Sequence, residues 1–146
     1  MILMDDTYSL ICKLDRDIST MLKAEMLHNG LGAFYPSHGK IMLALASGKP
    51  ISMKTLAEII NKKPQTLTSL VTALEDAEYV NVVSCKNDKR SKYVIITEKG
   101  MDFIPKLHTV SKKLYTMQYK GFTEEEKTIF RKCLTKMLDN FSDTNL

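Results

Sequence analysis

A mostly helical α+β fold is expected from three observations. Residues 53–75 contain two short segments whose apolar side chains recur at i, i+3, i+4 and i+7. Two β-branched runs follow, on either side of a basic stretch, and read as a hairpin. Long segments of helical periodicity stand before and after this centre. At 146 residues the whole, 1–146, can bury a core as one domain without disulfides or a structural metal.

Thr7 to Leu27 carries Ile11, Leu14, Ile18, Met21 and Leu22 at helical spacing and holds no Pro or Gly, so one long helix is predicted, ending near Asn29-Gly30. After a loop with Gly30, Gly32 and Pro36, Ser37 can cap a second helix that reaches about Ala46 and closes at Ser47-Gly48-Lys49-Pro50. Ser52 stands as the cap of a third, short helix with Met53, Leu56, Ala57 and Ile60 as its stripe. Asn61-Lys62-Lys63 interrupts it. Pro64 suits the first position of the next helix, where a missing N–H is no loss, and Leu67, Leu70, Val71 and Leu74 repeat the stripe. Val80 to Val83 and Tyr93 to Ile96 form the predicted hairpin, with Asn87-Asp88 near its tip. Thr97 can then cap a long helix in which Phe103, Leu107, Val110, Leu114 and Met117 alternate spacings of four and three, as in a coiled-coil seam. Pro105 should bend it or delay its start. Thr123, followed three residues later by Glu126, is a capping-box signature for a last helix with Phe130, Cys133, Leu134, Met137, Leu138 and Phe141 on one side.

Composition narrows the class. Lys and Arg number 21 against 17 Asp and Glu, a net charge of +4, so affinity for nucleic acid must come from local placement. The 44% apolar and 26% charged content excludes disordered, collagen-like and disulfide-scaffold classes. No apolar run approaches the ~18 residues of a membrane span. The opening MILMDDTYS lacks the basic region and apolar stretch of a secretory signal, and the cysteines, Cys12, Cys85 and Cys133, are odd in number and far apart. A cytoplasmic protein with reduced thiols is expected.

Three helices and a hairpin between residues 37 and 96 follow the order of a winged helix-turn-helix with a two-stranded β wing, the second helix of the 53–75 pair being the reader. Opposite its apolar stripe lie Gln65, Thr66, Thr68, Ser69 and Thr72, short uncharged donors and acceptors that let the backbone approach base edges. Gln can pair with adenine N6 and N7, Ser and Thr with bases or phosphates, and the helix start near Lys63 favours a phosphate. In the stretch Ser84 to Lys92, Lys86, Lys89, Arg90 and Lys92 face only Asp88. Hydroxyl residues often just cover a surface and lysine runs often just solvate a loop; the combination on adjoining elements is what favours DNA. Arg90 suits minor-groove insertion, because a guanidinium is easily desolvated and seeks the negative potential of narrow A·T-rich grooves.

From Pro36 to Gly100 the chain resembles the MarR family of winged-helix transcriptional regulators. The strand-wing-strand sequence with Asp88-Lys89-Arg90, the following Thr97-Glu98-Lys99-Gly100, and Leu74-Glu75 to Tyr79-Val80 carry the resemblance. It implies a repressor that binds a palindromic operator on double-stranded DNA as a homodimer, with 37–98 as the DNA-binding lobe and 7–28 and 99–142 as dimerisation helices. By motif match Asp88 braces the wing, Arg90 enters the minor groove, and Thr66 and Thr68 occupy reading positions. Lys63-Pro64-Gln65 departs from the family's usual acidic, basic, Ser series.

The resemblance also implies a small aromatic or anionic effector, for which Met21, Tyr35, His38 and Met42 are the candidate lining. Cys12, one turn after Tyr8, matches where some peroxide-sensing relatives place a reactive thiol, although a lone cysteine on an apolar face is ordinarily packing. A redox-sensing regulator using Cys12 is therefore one alternative. A winged-helix protein-interaction module without DNA binding is another, against which Arg90 and its three lysines argue. His28, His38 and His108 have no short ligand spacing, so no metal or other cofactor is expected. No phosphate-cradling Gly loop, G-x-S-x-G, H-E-x-x-H or CxxC occurs, and no enzyme is expected.

Overall fold

The computed structural model describes residues 5–84, 87–88 and 90–142. In chain order these form α1 (Thr7–His28), α2 (Pro36–Ala44), β1 (Ile51–Ser52), α3 (Met53–Ile60), α4 (Pro64–Asp76), β2 (Val80–Ser84), β3 (Lys92–Ile96), α5 (Glu98–Met101), α6 (Ile104–Gln118) and α7 (Glu124–Ser142). They fall into two compact units, one up to Ser111 and one from Lys112 onward. Among the described residues no helix is long and apolar enough to cross a membrane.

The first unit is built on the predicted stripes. Leu56, Ala57 and Ile60 of α3 and Leu67, Val71 and Leu74 of α4 are buried, and with Ile41, Leu45, Val80 and Val94 they form its core. Burial of each large side chain contributes roughly 1.5–3 kcal/mol before chain entropy is subtracted. Beside this core lies an antiparallel sheet of order β1-β3-β2, in which Val82 sits opposite Val94 and Ile51 opposite Val94 on the other edge. The third strand, β1, adds to the expected two-stranded wing. Two residues carry no alternation, and Ser52 is at once strand residue and helix cap, its Oγ accepting the Thr55 N–H at 3.1 Å.

The start of α2 differs from the expectation that Ser37 caps it. Tyr35 holds the cap position and Pro36 opens the helix, because the fixed φ of proline is already helical and draws the start earlier. The Tyr35 N–H donates to Nδ1 of His38 at 2.8 Å. The helix also ends at Ala44, short of Ala46. His38 is 5% exposed, edge-on to Phe34 at 5.2 Å and stacked with Tyr35 at 5.9 Å.

Burial lowers the His38 pKa below its ordinary 6.5. The unfolded chain thus takes up a proton at higher pH than the folded one, and stability is lost as pH falls from about 6.5 through the lowered folded value. Protonation also removes the Nδ1 acceptor that caps α2. We expect denaturant midpoints to drop between pH 7.5 and 5, and to drop less in His38→Asn, whose side-chain oxygen can accept the same N–H without titrating. Identical pH slopes in both proteins would exclude His38 as the cause.

Thr97 caps only the short α5, accepting the Gly100 N–H at 3.1 Å, so the expected long helix is two helices. Pro105 has no N–H, and its ring would meet the Met101 carbonyl four residues back, so the chain restarts at Ile104 with Pro105 in the first turn. Nor is the expected seam one open surface. Leu107 and Val110 are buried, whereas Met117 is 55% exposed. In the second unit Thr123 Oγ1 accepts the Glu126 N–H at 3.1 Å and opens α7, which among its described residues buries none.

Candidate nucleic-acid interface

The α3–α4 turn is set by residue chemistry. Asn61 adopts a left-handed backbone (φ 54), a conformation asparagine tolerates better than most residues, and the Lys62 N–H closes onto the Ala57 carbonyl at 3.0 Å. Lys63 is then extended and Pro64 begins α4. No side chain caps this helix, so its first-turn N–H groups and positive dipole end stay available to a phosphate.

With Leu67, Val71 and Leu74 buried, Gln65, Thr66, Thr68, Ser69 and Thr72 are all exposed on the other side, as the periodicity requires. Three of their hydroxyls are committed to the helix itself. Thr68 donates to the Pro64 carbonyl at 2.9 Å, Thr72 to the Thr68 carbonyl at 2.8 Å, and Ser69 to the Gln65 carbonyl at 3.4 Å. In this state their oxygens face outward as acceptors, suited to an adenine or cytosine amino group. Among the described residues, the Gln65 carboxamide and the Thr66 hydroxyl have no hydrogen-bond partner and can both donate and accept.

Side-chain ties fix α4 to the wing. Glu75 Oε2 accepts the Val82 N–H at 2.9 Å, joining the last turn of α4 to β2, the edge strand. Between them Glu78 takes a positive φ of 66. That kink is held from the far side of the wing. Thr97 Oγ1 donates to the Glu78 carbonyl at 2.7 Å, the Thr97 N–H to the Tyr79 carbonyl at 3.0 Å, and Lys99 Nζ to the Ala77 carbonyl at 2.9 Å. Lys99 also lies 5.0 Å over the Tyr79 ring.

At the tip, Asp88 Oδ1 accepts the Arg90 N–H at 2.9 Å and Oδ2 the Ser91 hydroxyl at 3.2 Å. Asp88 is thus occupied in shaping the turn, and Arg90 and Lys92 are exposed beside it. Lys86 and Lys89, named with them from sequence, lie outside the described residues, as does Cys85. Between α3, the start of α4 and β3 runs a groove of about 820 Å³ where Lys54, Lys62, Arg90 and Lys92 meet a single carboxylate, Glu58. Sequence reasoning missed Lys54 and Lys62, because no spacing rule links α3 to a wing some thirty residues on. It also missed the role of Glu75, a side-chain-to-backbone bond that no periodicity announces.

The remaining candidates sit elsewhere. Met42 and His38 are buried, Met21 is half-buried and Tyr35 is 60% exposed. On α1, Tyr8 and Cys12 are both exposed, and a hydrogen bond to the Cys12 sulfur raises the Tyr8 phenol above its ordinary pKa of 10.0. Among the described residues no three His, Cys, Asp or Glu side chains gather as metal ligands.

The MarR family model matches residues 34–92. The chain is 30% identical over 117 residues to the HTH-type transcriptional regulator PapX of Escherichia coli, covering 77% of this chain and 71% of PapX. It is 26% identical over 120 residues to PrsX of the same species, covering 79% and 72%. In fold it is similar to MepR of S. aureus in a DNA complex, with a TM-score of 0.85, 15% identity and coverage of 94% of this chain and 99% of that one. It is likewise similar to a MarR family regulator of Listeria monocytogenes complexed with 26mer DNA, with a TM-score of 0.83, 22% identity and coverage of 96% and 91%. With α3, α4, β2 and the wing tip inside the matched segment, and most of PapX covered at 30% identity, the chain belongs to the MarR family of winged-helix transcriptional regulators.

Proposed function

We propose that this chain is a cytoplasmic, homodimeric repressor that occupies a palindromic operator, with α4 in the major groove and the wing tip against the adjacent minor groove. The observation that carries this reading is the coupling of two surfaces by the Glu75–Val82 bond. It holds an uncharged exposed α4 face and a cationic wing in one piece. Gln65 and Thr66 read bases, Thr68, Ser69 and Thr72 offer acceptors, and Lys63, Arg90, Lys92, Lys86 and Lys89 meet phosphates or the minor groove.

Dimerisation through 7–28 and 99–142 is supported by the large apolar side chains those segments leave in water. Leu10 and Leu14 of α1 are 58% and 49% exposed, and Leu138 of α7 is 68% exposed. A two-fold dimer sets its reading helices about one DNA turn apart and so calls for a palindrome. A small aromatic or anionic effector, reaching Tyr35 and His38 and then Met21 and Met42 by displacing α2, would release the DNA by changing that spacing. MepR and the Listeria protein are seen with DNA in their structures, which supports the same partner here.

The test is selection of random duplexes by the purified protein, followed by a salt titration on the best site. An enriched palindrome with a steep salt slope is expected. An enriched site without two-fold symmetry would refute the dimeric reading, and absence of enrichment would refute operator binding. Within the selected site, Gln65→Ala should relax preference at one base position by about 1–3 kcal/mol and leave the other positions unchanged. A uniform loss across all operator variants would make Gln65 a positioning contact.

A further inference from the structure

The second unit carries a concave basic surface far in character from the apolar residues of the same helix. Between α6 and α7 lies a groove of about 460 Å³ lined by Tyr115, Tyr119, Lys127, Arg131, Lys132 and Lys136 among others, a size within the range of small-molecule sites. At 100° per residue Lys132 and Lys136 turn away from Phe130, Leu134 and Phe141, Arg131 lies between the two sides, and Lys127, seven residues before Leu134, sits at the edge of the apolar face, so the groove adjoins that face and opens away from it. The four cations span ten residues, nine rises of about 1.5 Å or about 13.5 Å along the axis.

Lys127 is the built part of the site. Its side chain is only 18% exposed, its Nζ lies 5.2 Å from the Tyr115 ring centre and 5.5 Å from that of Tyr119, and it pairs with Glu124 at 2.8 Å. The Glu124 hydrogen bond holds its ammonium above the ordinary pKa of 10.5. One carboxylate is thereby used by one lysine. Among the described residues Arg131, Lys132 and Lys136 have no carboxylate within ion-pair distance. The Thr128 and Thr135 hydroxyls donate to the Glu124 and Arg131 carbonyls, so they add no free anionic partner.

We infer that this groove binds a compact, multiply charged anion bearing phosphoryl or carboxylate groups, gripped by Arg131, Lys132 and Lys136 over the Lys127–tyrosine floor. A guanidinium takes such a group bidentately and flanking ammoniums neutralise the remaining charge. The site is built from residues of α6 and α7 and takes none from α4 or the wing, and it does not rest on the operator reading.

The probe is inorganic pyrophosphate, titrated calorimetrically into the full chain at constant ionic strength. Tyrosine emission is a second readout, usable because the chain has no Trp and two of its six Tyr line the groove. Saturable binding of one pyrophosphate per chain is expected, weakened at least tenfold in Arg131→Gln/Lys132→Gln and unchanged in Arg90→Ala. Helical content and Tm of the double variant should match the parent, since both side chains are exposed. The inference is overturned if no saturable binding occurs. It is equally overturned if the double variant binds as tightly as the parent, or if Arg90→Ala is the variant that loses binding.

Discussion

Arg90→Ala should weaken operator binding by about one to two orders of magnitude per wing while leaving the fold intact, and in the proposed homodimer, with two wings on each operator, the loss should compound. The scale follows from about 1–3 kcal/mol for one lost base-contacting arginine, at about 1.4 kcal/mol per tenfold. The geometry supports a clean experiment. The Arg90 N–H, which alanine retains, is the group Asp88 holds at 2.9 Å, and the side chain itself is exposed. The wing turn therefore keeps its brace when the guanidinium goes. Unchanged thermal unfolding beside a reduced affinity and a shallower salt slope is the expected pair of results. Undiminished affinity in the folded variant would remove the wing from recognition. Asp88→Ala supplies the converse, losing affinity through a loosened turn with every cation still present.

How much of this could be read in advance depended on the kind of signal each feature leaves. The stripes at Met53–Ile60 and Leu67–Leu74 repeat along one helix face, so they announced both helices and, by exclusion, the exposed residues of α4. Pro64 opens α4 and Ser52 caps α3, each within its own first turn, and both roles were equally legible. Features that depend on distant chain segments were not. β1 exists only because β3 offers it an edge, and Lys54 joins Arg90 only through that pairing. The early start of α2 at Pro36 is a local signal that outweighs Ser37, but the acceptor that receives the Tyr35 N–H is the His38 ring, buried against Phe34, a tertiary fact that no spacing shows. The hydroxyl bonds of Thr68 and Thr72 were deducible from helical geometry, and they alter the reading: in place these residues accept, and to donate they must first give up the helix carbonyl.

The same distinction between local and assembled features gives the largest expected stability effect, at Gly100. Within α5 nothing local forbids a methyl there, and on propensity alone alanine would be the better helix residue. The obstacle is the neighbouring chain. A Cβ at Gly100 would fall on the Tyr79 carbonyl oxygen and within 2.7 Å of Ile96 Cγ1. A side chain could turn aside, but the carbonyl is backbone and already accepts the Thr97 N–H at 3.0 Å. Relief therefore requires β2 or α5 to shift, which pulls on the bonds from Thr97 to Glu78 and from Lys99 to Ala77 that hold the end of α4 to the wing. Gly100→Ala should cost about 2–3 kcal/mol, at the upper end of overpacking, and lower Tm by about 5–10 °C. Operator affinity should fall as well, even at temperatures where the variant is fully folded, because the angle between reading helix and wing is what the shift changes. Lys99→Ala is the useful comparison. It removes one exposed hydrogen bond, one exposed ion pair with Glu78 and one cation–π contact without forcing any atom to move, so its cost should stay at about 1 kcal/mol with operator affinity close to the parent's. Equal losses in the two variants would mean that contact energy at the junction, rather than its geometry, governs DNA binding.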